Sequence, residues 1–466
     1  MRSSLLFLNL SARFIREKGK ANKTVCRAVC LLFILLFFVI PLGGCGRNAA
    51  LGEYAVSVDF DGQTVTGTAE YTLAECDVGE KLVFCYYPAV LCGGTIAAVK
   101  LNGIDISVER SGEKGEFIAV CADFKAKDVV YFEYSFTLDK SDGRLGITDK
   151  TVNFALFYPI KCVKNNGEFV MHEYSAFGDP FYFDYCNLDL RLVVPSVYSV
   201  ACGGYPEECL PSGDRTTYFY SFKNVKNVAF SVSQVYNVVT KKSGYKSINY
   251  YYYDDIAPEE TLNEVVCALV FFQKKIGEYA YDILTFAQSP YEYGGMEYSC
   301  FFVVGECPER ENYLYAAVHE TAHQWFPIAV GSDEYFRPCF DEGLAETMSI
   351  KYYESKDEAR AKNMYLSAKA AYEGYKRNCL AVGKKPLEKQ NSPLKEYSSA
   401  YEYTVNAYYA SSCAFLQAFD SLDGSLKPLK NFYRKNKFRN ASERDFYASF
   451  PLLKRGFAKK SLKNYV

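Results

Sequence analysis

The sequence predicts an α+β multidomain protein: an N-terminal all-β sandwich, then a mainly α-helical domain with a small β-sheet. Three observations predict it. Residues 51–245 fall into short alternating strands between turn signals. Near residue 258 the apolar spacing changes to a helical period. The chain has 466 residues, enough for two or three domains at about 150 residues each. It is 49% hydrophobic and 23% charged, which excludes a disordered or fibrous protein. A formal charge of −2 leaves no basic field for nucleic acid.

The first 44 residues read as an export signal. Arg2, Arg13, Arg16, Lys18, Lys20, Lys23 and Arg27 stand against the single acid Glu17. The uncharged run AVCLLFILLFFVIPL (28–42) follows. It is shorter than the roughly 20 apolar residues of a membrane span. Leu42-Gly43-Gly44-Cys45 resembles a bacterial lipobox, which implies acylation of Cys45, a lipid-anchored linker over 45–53 and a place on the outer face of the membrane. An uncleaved signal anchor is the alternative. Fourteen cysteines follow Cys45, scattered and with no CxxC pair. A core this large needs no staples, so mostly reduced, buried thiols are expected, with room for one or two bridges. No metal site made of cysteine is expected.

The β-sandwich is assigned to 54–245. YAVSVDF (54–60) alternates apolar and polar, and TVTGTAEYTL, KLVFCYYP, EFIAVCADF, VVYFEYSFTL, FYFDYCNLDLRLVV and TTYFYSF follow. The second domain is assigned to 246–466. Pro258 and Thr261 open LNEVVCALVFFQKKIGEY, which has helical spacing. Strand-like DILTFAQS (282–289) and FFVV (301–304) flank YGGMEY. Helices are expected over 310–330, 341–380, 402–420 and 442–455. Lys and Arg crowd the last 40 residues. They read as a solvated helical surface, with contact to acidic lipid or wall polymer as the alternative.

The chemistry is carried by His319-Glu320-Thr321-Ala322-His323. Only three histidines occur, and two of them sit here. Positions i and i+4 share a helix face, so both imidazoles can reach one ion. Glu320 lies beside them, as suits a general base. Catalytic zinc takes three protein ligands and keeps one position open. Glu342, 19 residues past His323 in PCFDEGLAE, is the candidate third. Glu346, one turn on, can accept a hydrogen bond from a ligand imidazole. His172 is expected to pack in the β half, away from any metal.

HETAHQWF followed by DEGLAE resembles the gluzincin zinc aminopeptidases typified by aminopeptidase N. Gly294-Gly295-Met296-Glu297 is similar to their GxMEN motif, and FGDPFYFDYCNLDLRLVVP and IGEYAYDILTFAQSPYEYGGMEY resemble the bacterial branch. The resemblance covers roughly 54–420 and implies a thermolysin-like zinc metallopeptidase domain. It implies one Zn²⁺ per chain held by His319, His323 and Glu342, with Glu320 activating water. Glu297 is implied to bind the peptide α-amine, and Gly294 and Gly295 to let the substrate backbone lie close to an edge strand. The family's oxyanion-binding Tyr is matched to Tyr409, with the adjacent Tyr408 as the other register. Departures are Tyr298 for Asn, Cys339-Phe340 for Trp-Leu, and Ser411-Ser412 for Lys-Gly. Only 57 residues follow Tyr409, so the large helical C-terminal domain of longer relatives is not expected. The expected function is that of a membrane-anchored extracellular zinc aminopeptidase acting on peptides. An open-cleft zinc endopeptidase and an inactive peptide-binding surface lipoprotein are the alternatives.

Overall fold

The β half begins with a strand that alternates strictly. In Gly52–Phe60 the side chains of Tyr54, Val56, Val58 and Phe60 turn inward and their neighbours outward. The computed structural model describes residues 51–141, 143–386 and 392–464. The export signal, the lipobox and Cys45 lie outside the described residues.

The opening strand is central in an eight-stranded sheet. It pairs antiparallel with Thr64–Thr72 and parallel with Cys186–Pro195. Two four-stranded sheets and the small hairpin of Lys164–Asn165 with Glu168–Phe169 complete the β part. One runs Ser199–Cys202, Phe230–Ser233, Val152–Phe154, Leu145–Ile147; the other runs Ile160–Lys161, Gly79–Cys85, Phe117–Phe124, Val108–Ser111. Aromatic side chains fill the space between the sheets. Phe154 stacks on Phe230 at 4.5 Å, and Phe84 meets Phe132 edge-on at 4.8 Å. The abundance of Phe and Tyr is thus used in the core.

The second part starts from a five-stranded sheet in the order Asn237–Ser243, Lys246–Tyr252, Ile283–Ser289, Phe301–Gly305, Gly295–Tyr298. Its first hairpin therefore spans position 246. The two strands Ile283–Ser289 and Phe301–Gly305 pair parallel and are buried throughout, which explains their unbroken apolar runs. Gly295–Tyr298 closes the sheet as an antiparallel edge, with Glu297 opposite Phe302.

Helix Pro258–Lys275 has Pro at its first position, Glu259 and Glu260 in its first turn, and Lys274 and Lys275 in its last. Each charge opposes the local end of the helix dipole. Leu262, Val265, Leu269 and Phe272 form its buried stripe.

The helices expected at 310–330 and 341–380 are each shorter than the pattern suggests. The first ends at His323, and the second is two helices, Glu342–Glu354 and Glu358–Ala381. Asp357 makes the break by accepting the backbone N–H of Arg360, which caps the new helix. No disulfide joins the fourteen cysteines after Cys45, and half of them are buried. Both parts belong to one compact unit over residues 50–466.

Candidate active site

Helix Arg310–His323 brings the motif to the cleft. Ala317, Val318, Thr321 and Ala322 are fully buried beneath it, which leaves His319, Glu320 and His323 facing the cleft. The chain just past the helix is tied down twice. Gln324 Nε2 donates to the Tyr298 carbonyl at 3.1 Å, and Trp325 Nε1 donates to the Gly277 carbonyl at 2.9 Å. The first of these bonds joins the motif to the edge strand that carries Glu297.

Glu342 is the first residue of the helix Glu342–Glu354, where the helix dipole favours a carboxylate. Its Oε2 lies 3.1 Å from His319 Nε2 and 3.3 Å from His323 Nε2. The outer ring nitrogens are held from behind. His319 Nδ1 is 3.5 Å from Glu346 Oε2; His323 Nδ1 is 2.9 Å from Asp341 Oδ1 and 3.1 Å from the Phe326 carbonyl. Such partners fix the tautomer and leave each Nε2 free to face inward. Two imidazoles and one carboxylate converging on one point are a zinc donor set, and the buried Glu320 Oε2 beside them has no hydrogen-bond partner. The residues present fit zinc.

Charge in the site is finely set. Burial raises Glu320 to about 8; the His323 imidazole opposes this, and Glu342 and Asp179 add to it. Burial also pushes Glu342 up, but hydrogen bonds from both histidines outweigh it and hold the carboxyl at about 2. Burial disfavours a charge on His323, yet Glu297 and Asp341 win, and its pKa stands well above the ordinary value.

The edge strand places Glu297 3% exposed, with a carboxylate oxygen within 4.8 Å of a His323 nitrogen and an Asp341 oxygen. Burial raises its pKa, as do Asp341, Asp179 and Glu320. The two glycines before it have different reasons. Gly294 takes φ +85°, a left-handed conformation. At Gly295 a Cβ would stand 2.3 Å from Glu320 Oε1, so its absence makes room for the Glu320 carboxylate.

The resemblance matched Tyr409 to the oxyanion-binding position, with Tyr408 as the other register, and the structure brings both to the cleft. Residues Thr404–Ala410 form a π-helical turn, which shifts the side chains relative to ordinary helical spacing. Tyr408 is the residue turned inward. Its ring stacks on His319 at 5.6 Å and 13°, and Glu342 is among its neighbours. Tyr409 also lines the cleft, beside Glu346 and Tyr401. Tyr403 also reaches the triad, donating to Glu342 Oε1 at 3.4 Å.

Sequence reasoning missed Asp179, Arg144 and the role of Asp341. Arg144 is buried at the seam between the two parts. Its Nη2 donates to Asp179 Oδ1 and to the Gly178 carbonyl, both at 2.8 Å. Nη1 donates to Tyr174 Oη and to the Ser175 carbonyl at 3.2 Å, and Nε to Met296 Sδ at 3.0 Å. The sequence signal for Asp179 was its place in FGDPF; Arg144 had none. His172 packs as expected in the β half but also reaches across the seam, 2.9 Å from Asp333 Oδ1 and stacked on Tyr335. The cleft encloses about 300 Å³, with Phe177, Tyr291 and Tyr293 lining the approach.

An HExxH helix that faces a Glu on the following helix, over a mixed sheet with a glycine-opened edge strand, is the build of a gluzincin metallopeptidase. Residues 260–463 match the model described as the peptidase family M1 domain. No curated protein matches the chain in sequence. Among solved structures, the M1 zinc metallopeptidase of Deinococcus radiodurans superposes with a TM-score of 0.64 at 14% identity, covering 90% of this chain and 94% of that one. A mutant of it bound to Tyr-Ser-Ala substrate gives 0.63 at 14% identity, with the same 90% and 94% coverage. A two-domain M1 zinc metallopeptidase mutant bound to L-tryptophan gives 0.62 at 13% identity, with 91% and 96% coverage. These likenesses show that the fold extends across both parts of the chain.

Proposed function

We propose that the protein is a zinc aminopeptidase that removes N-terminal residues from peptides outside the cell. The observation that carries this reading is Glu297, a buried carboxylate on the edge strand beside His323 and near Glu320. An exopeptidase must meet a free α-ammonium next to the reacting bond, and an internal peptide bond offers no charge there. The solved relative bound to Tyr-Ser-Ala, a peptide substrate, supports the same reading.

Zinc held by His319, His323 and Glu342 supplies Lewis-acid polarisation of the scissile carbonyl and lowers the pKa of water. The chain's own groups do the rest. Glu297 takes the ammonium and sets the cut one residue from the N-terminus. The edge strand Gly295–Tyr298 offers its backbone to the peptide backbone. Glu320 accepts the proton of the attacking water at its carboxylate and passes it to the leaving amine. The Tyr408 hydroxyl donates to the carbonyl oxygen as negative charge develops on it. Asp341 and Glu346 hold the two imidazoles in place.

The location belongs to the same reading: a signal over 1–44 and a lipid-anchored linker over 45–53 ahead of the two folded parts. The charged leader, the apolar run and Leu42-Gly43-Gly44-Cys45 support export and acylation of Cys45. Cys45→Ala is expected to abolish incorporation of labelled palmitate and to release the protein from the membrane fraction. Labelling that survives the substitution contradicts the anchor.

The activity is tested on a panel of amino-acid p-nitroanilides. Release is expected from residues 46–466 and is lost on chelation and restored by zinc. Folded, zinc-loaded protein that releases nothing from any amino acid contradicts the aminopeptidase reading.

A further inference from the structure

The last helix, Leu452–Asn464, turns large apolar side chains outward. Leu453 is 96% exposed, Leu452 77% and Phe457 45%. The inner face is already occupied: Ala458, Ser461 and Leu462 are buried, and the helix packs against Ser411–Asp420. The outer residues are therefore not needed to dock it. Leu453 and Phe457 stand four positions apart and share one face, which Lys460 continues.

The same helix is rich in basic residues. Residues 452–464 hold Lys454, Arg455, Lys459, Lys460 and Lys463 and no acid. Arg455 is partly committed inward, donating to the carbonyls of Phe450 and Ala448 at 3.1 and 3.2 Å. The helix Lys427–Asn436 buries Leu429, Phe432 and Tyr433 and turns Lys427, Lys430, Arg434 and Lys435 to solvent. Across 427–464 there are twelve Lys and Arg against Glu443 and Asp445, in a chain whose formal charge is −2. Asp445 is itself engaged, with the Ser442 cap and with Arg439 at 3.8 Å. The positive charge is thus concentrated at one end of the chain.

We propose that this basic face, tipped by Leu452, Leu453 and Phe457, is a docking surface for an anionic lipid bilayer. The argument is complementarity of two kinds at one place. Lys and Arg close to an anionic surface gain from its potential, while Leu and Phe gain by entering the boundary between headgroups and acyl chains. A soluble polyanion would use the lysines and leave the exposed leucines in water, where an apolar cluster is unfavourable. The proposal does not rest on the peptidase reading, nor on acylation of Cys45.

The test uses residues 50–466, which form one compact unit and lack Cys45. Co-sedimentation is measured with phosphatidylcholine vesicles and with vesicles half phosphatidylglycerol. Binding to the anionic vesicles is expected to be at least about tenfold stronger, and to weaken as salt rises from about 50 to about 500 mM. Replacing Leu452→Ser, Leu453→Ser and Phe457→Ser together is expected to weaken that binding at least about tenfold, with turnover unchanged. The tryptophan of a Leu453→Trp variant is expected to shift to the blue on anionic vesicles only. Absence of binding overturns the proposal. So does binding that the triple substitution leaves unchanged, which marks a charge-only surface suited to an anionic polymer.

Discussion

Individual side chains in the site have separable roles. Glu320→Gln keeps the shape of the group but removes its basicity, so kcat should fall by about 10²–10⁴. Zinc content, measured by atomic absorption, should stay at one per chain. Tyr408→Phe should cost about 10²–10³ in kcat, while Tyr409→Phe should change it little. Equal losses from both would return the oxyanion role to an open question. The raised pKa of His323 gives a third expectation. Glu297 and Asp341 favour the protonated imidazole in the zinc-free protein, yet a ligand imidazole must be neutral. Zinc uptake near pH 7 should therefore release a proton, and affinity should rise with pH. Calorimetry in buffers of different ionisation enthalpy reads this directly; uptake that releases no proton contradicts it. Residues of this kind were legible where residue type and spacing encode the chemistry. His319, Glu320, His323 and Glu342 were singled out that way, and the structure brings them to one cleft. Arg144 was not, because its side-chain partners lie 30 to 152 positions away in the sequence and no local pattern marks it.

The structural elements place those side chains, and local sequence describes them unevenly. The edge strand Gly295–Tyr298 was visible as YGGMEY, but not that Gly295 serves Glu320. Gly295→Ala should force the Glu320 carboxylate aside and lower kcat more than it lowers thermal stability. Turnover and melting temperature measured on the same variant test this. The π-helical turn Thr404–Ala410 is the element that sequence spacing could not show. Two adjacent tyrosines, with Ser411-Ser412 in place of Lys-Gly, leave the register open in the sequence, and the π-helical turn sets where each side chain points. The break between Glu354 and Glu358 was likewise hidden within a continuous helical pattern. Asp357→Ala removes the cap there and should cost about 1 kcal/mol of stability. Chemical denaturation checks it, and a change near zero would show that the break is held by packing alone.

At the scale of the whole molecule, the two parts meet across buried polar pairs. Lys226 Nζ lies 2.7 Å from Glu334 Oε1, and Arg144 links Asp179 with Met296 of the strand that bears Glu297. The β part thus forms one wall of the cleft, through Phe177, Gly178 and Asp179. The change from strand to helical patterning near residue 258 was plain in the sequence. The dependence of one part on the other was not, because those pairs form only in the assembled fold. Arg144→Met leaves Asp179 buried without its cation, a change that should cost about 3–5 kcal/mol.

The central claim is that a buried carboxylate beside the zinc ligands makes this an exopeptidase. It is tested most directly by the ratio of kcat/KM for a peptide with a free α-amine to that for the same peptide N-acetylated, in the native protein and in Glu297→Ala. The account predicts a ratio of at least about 10² in the native protein, as expected for losing a charge-assisted contact worth about 3 kcal/mol. In Glu297→Ala the ratio should collapse towards one, chiefly through loss of activity on the free-amine peptide. A native ratio near one, or a high ratio that survives removal of Glu297, would contradict the account.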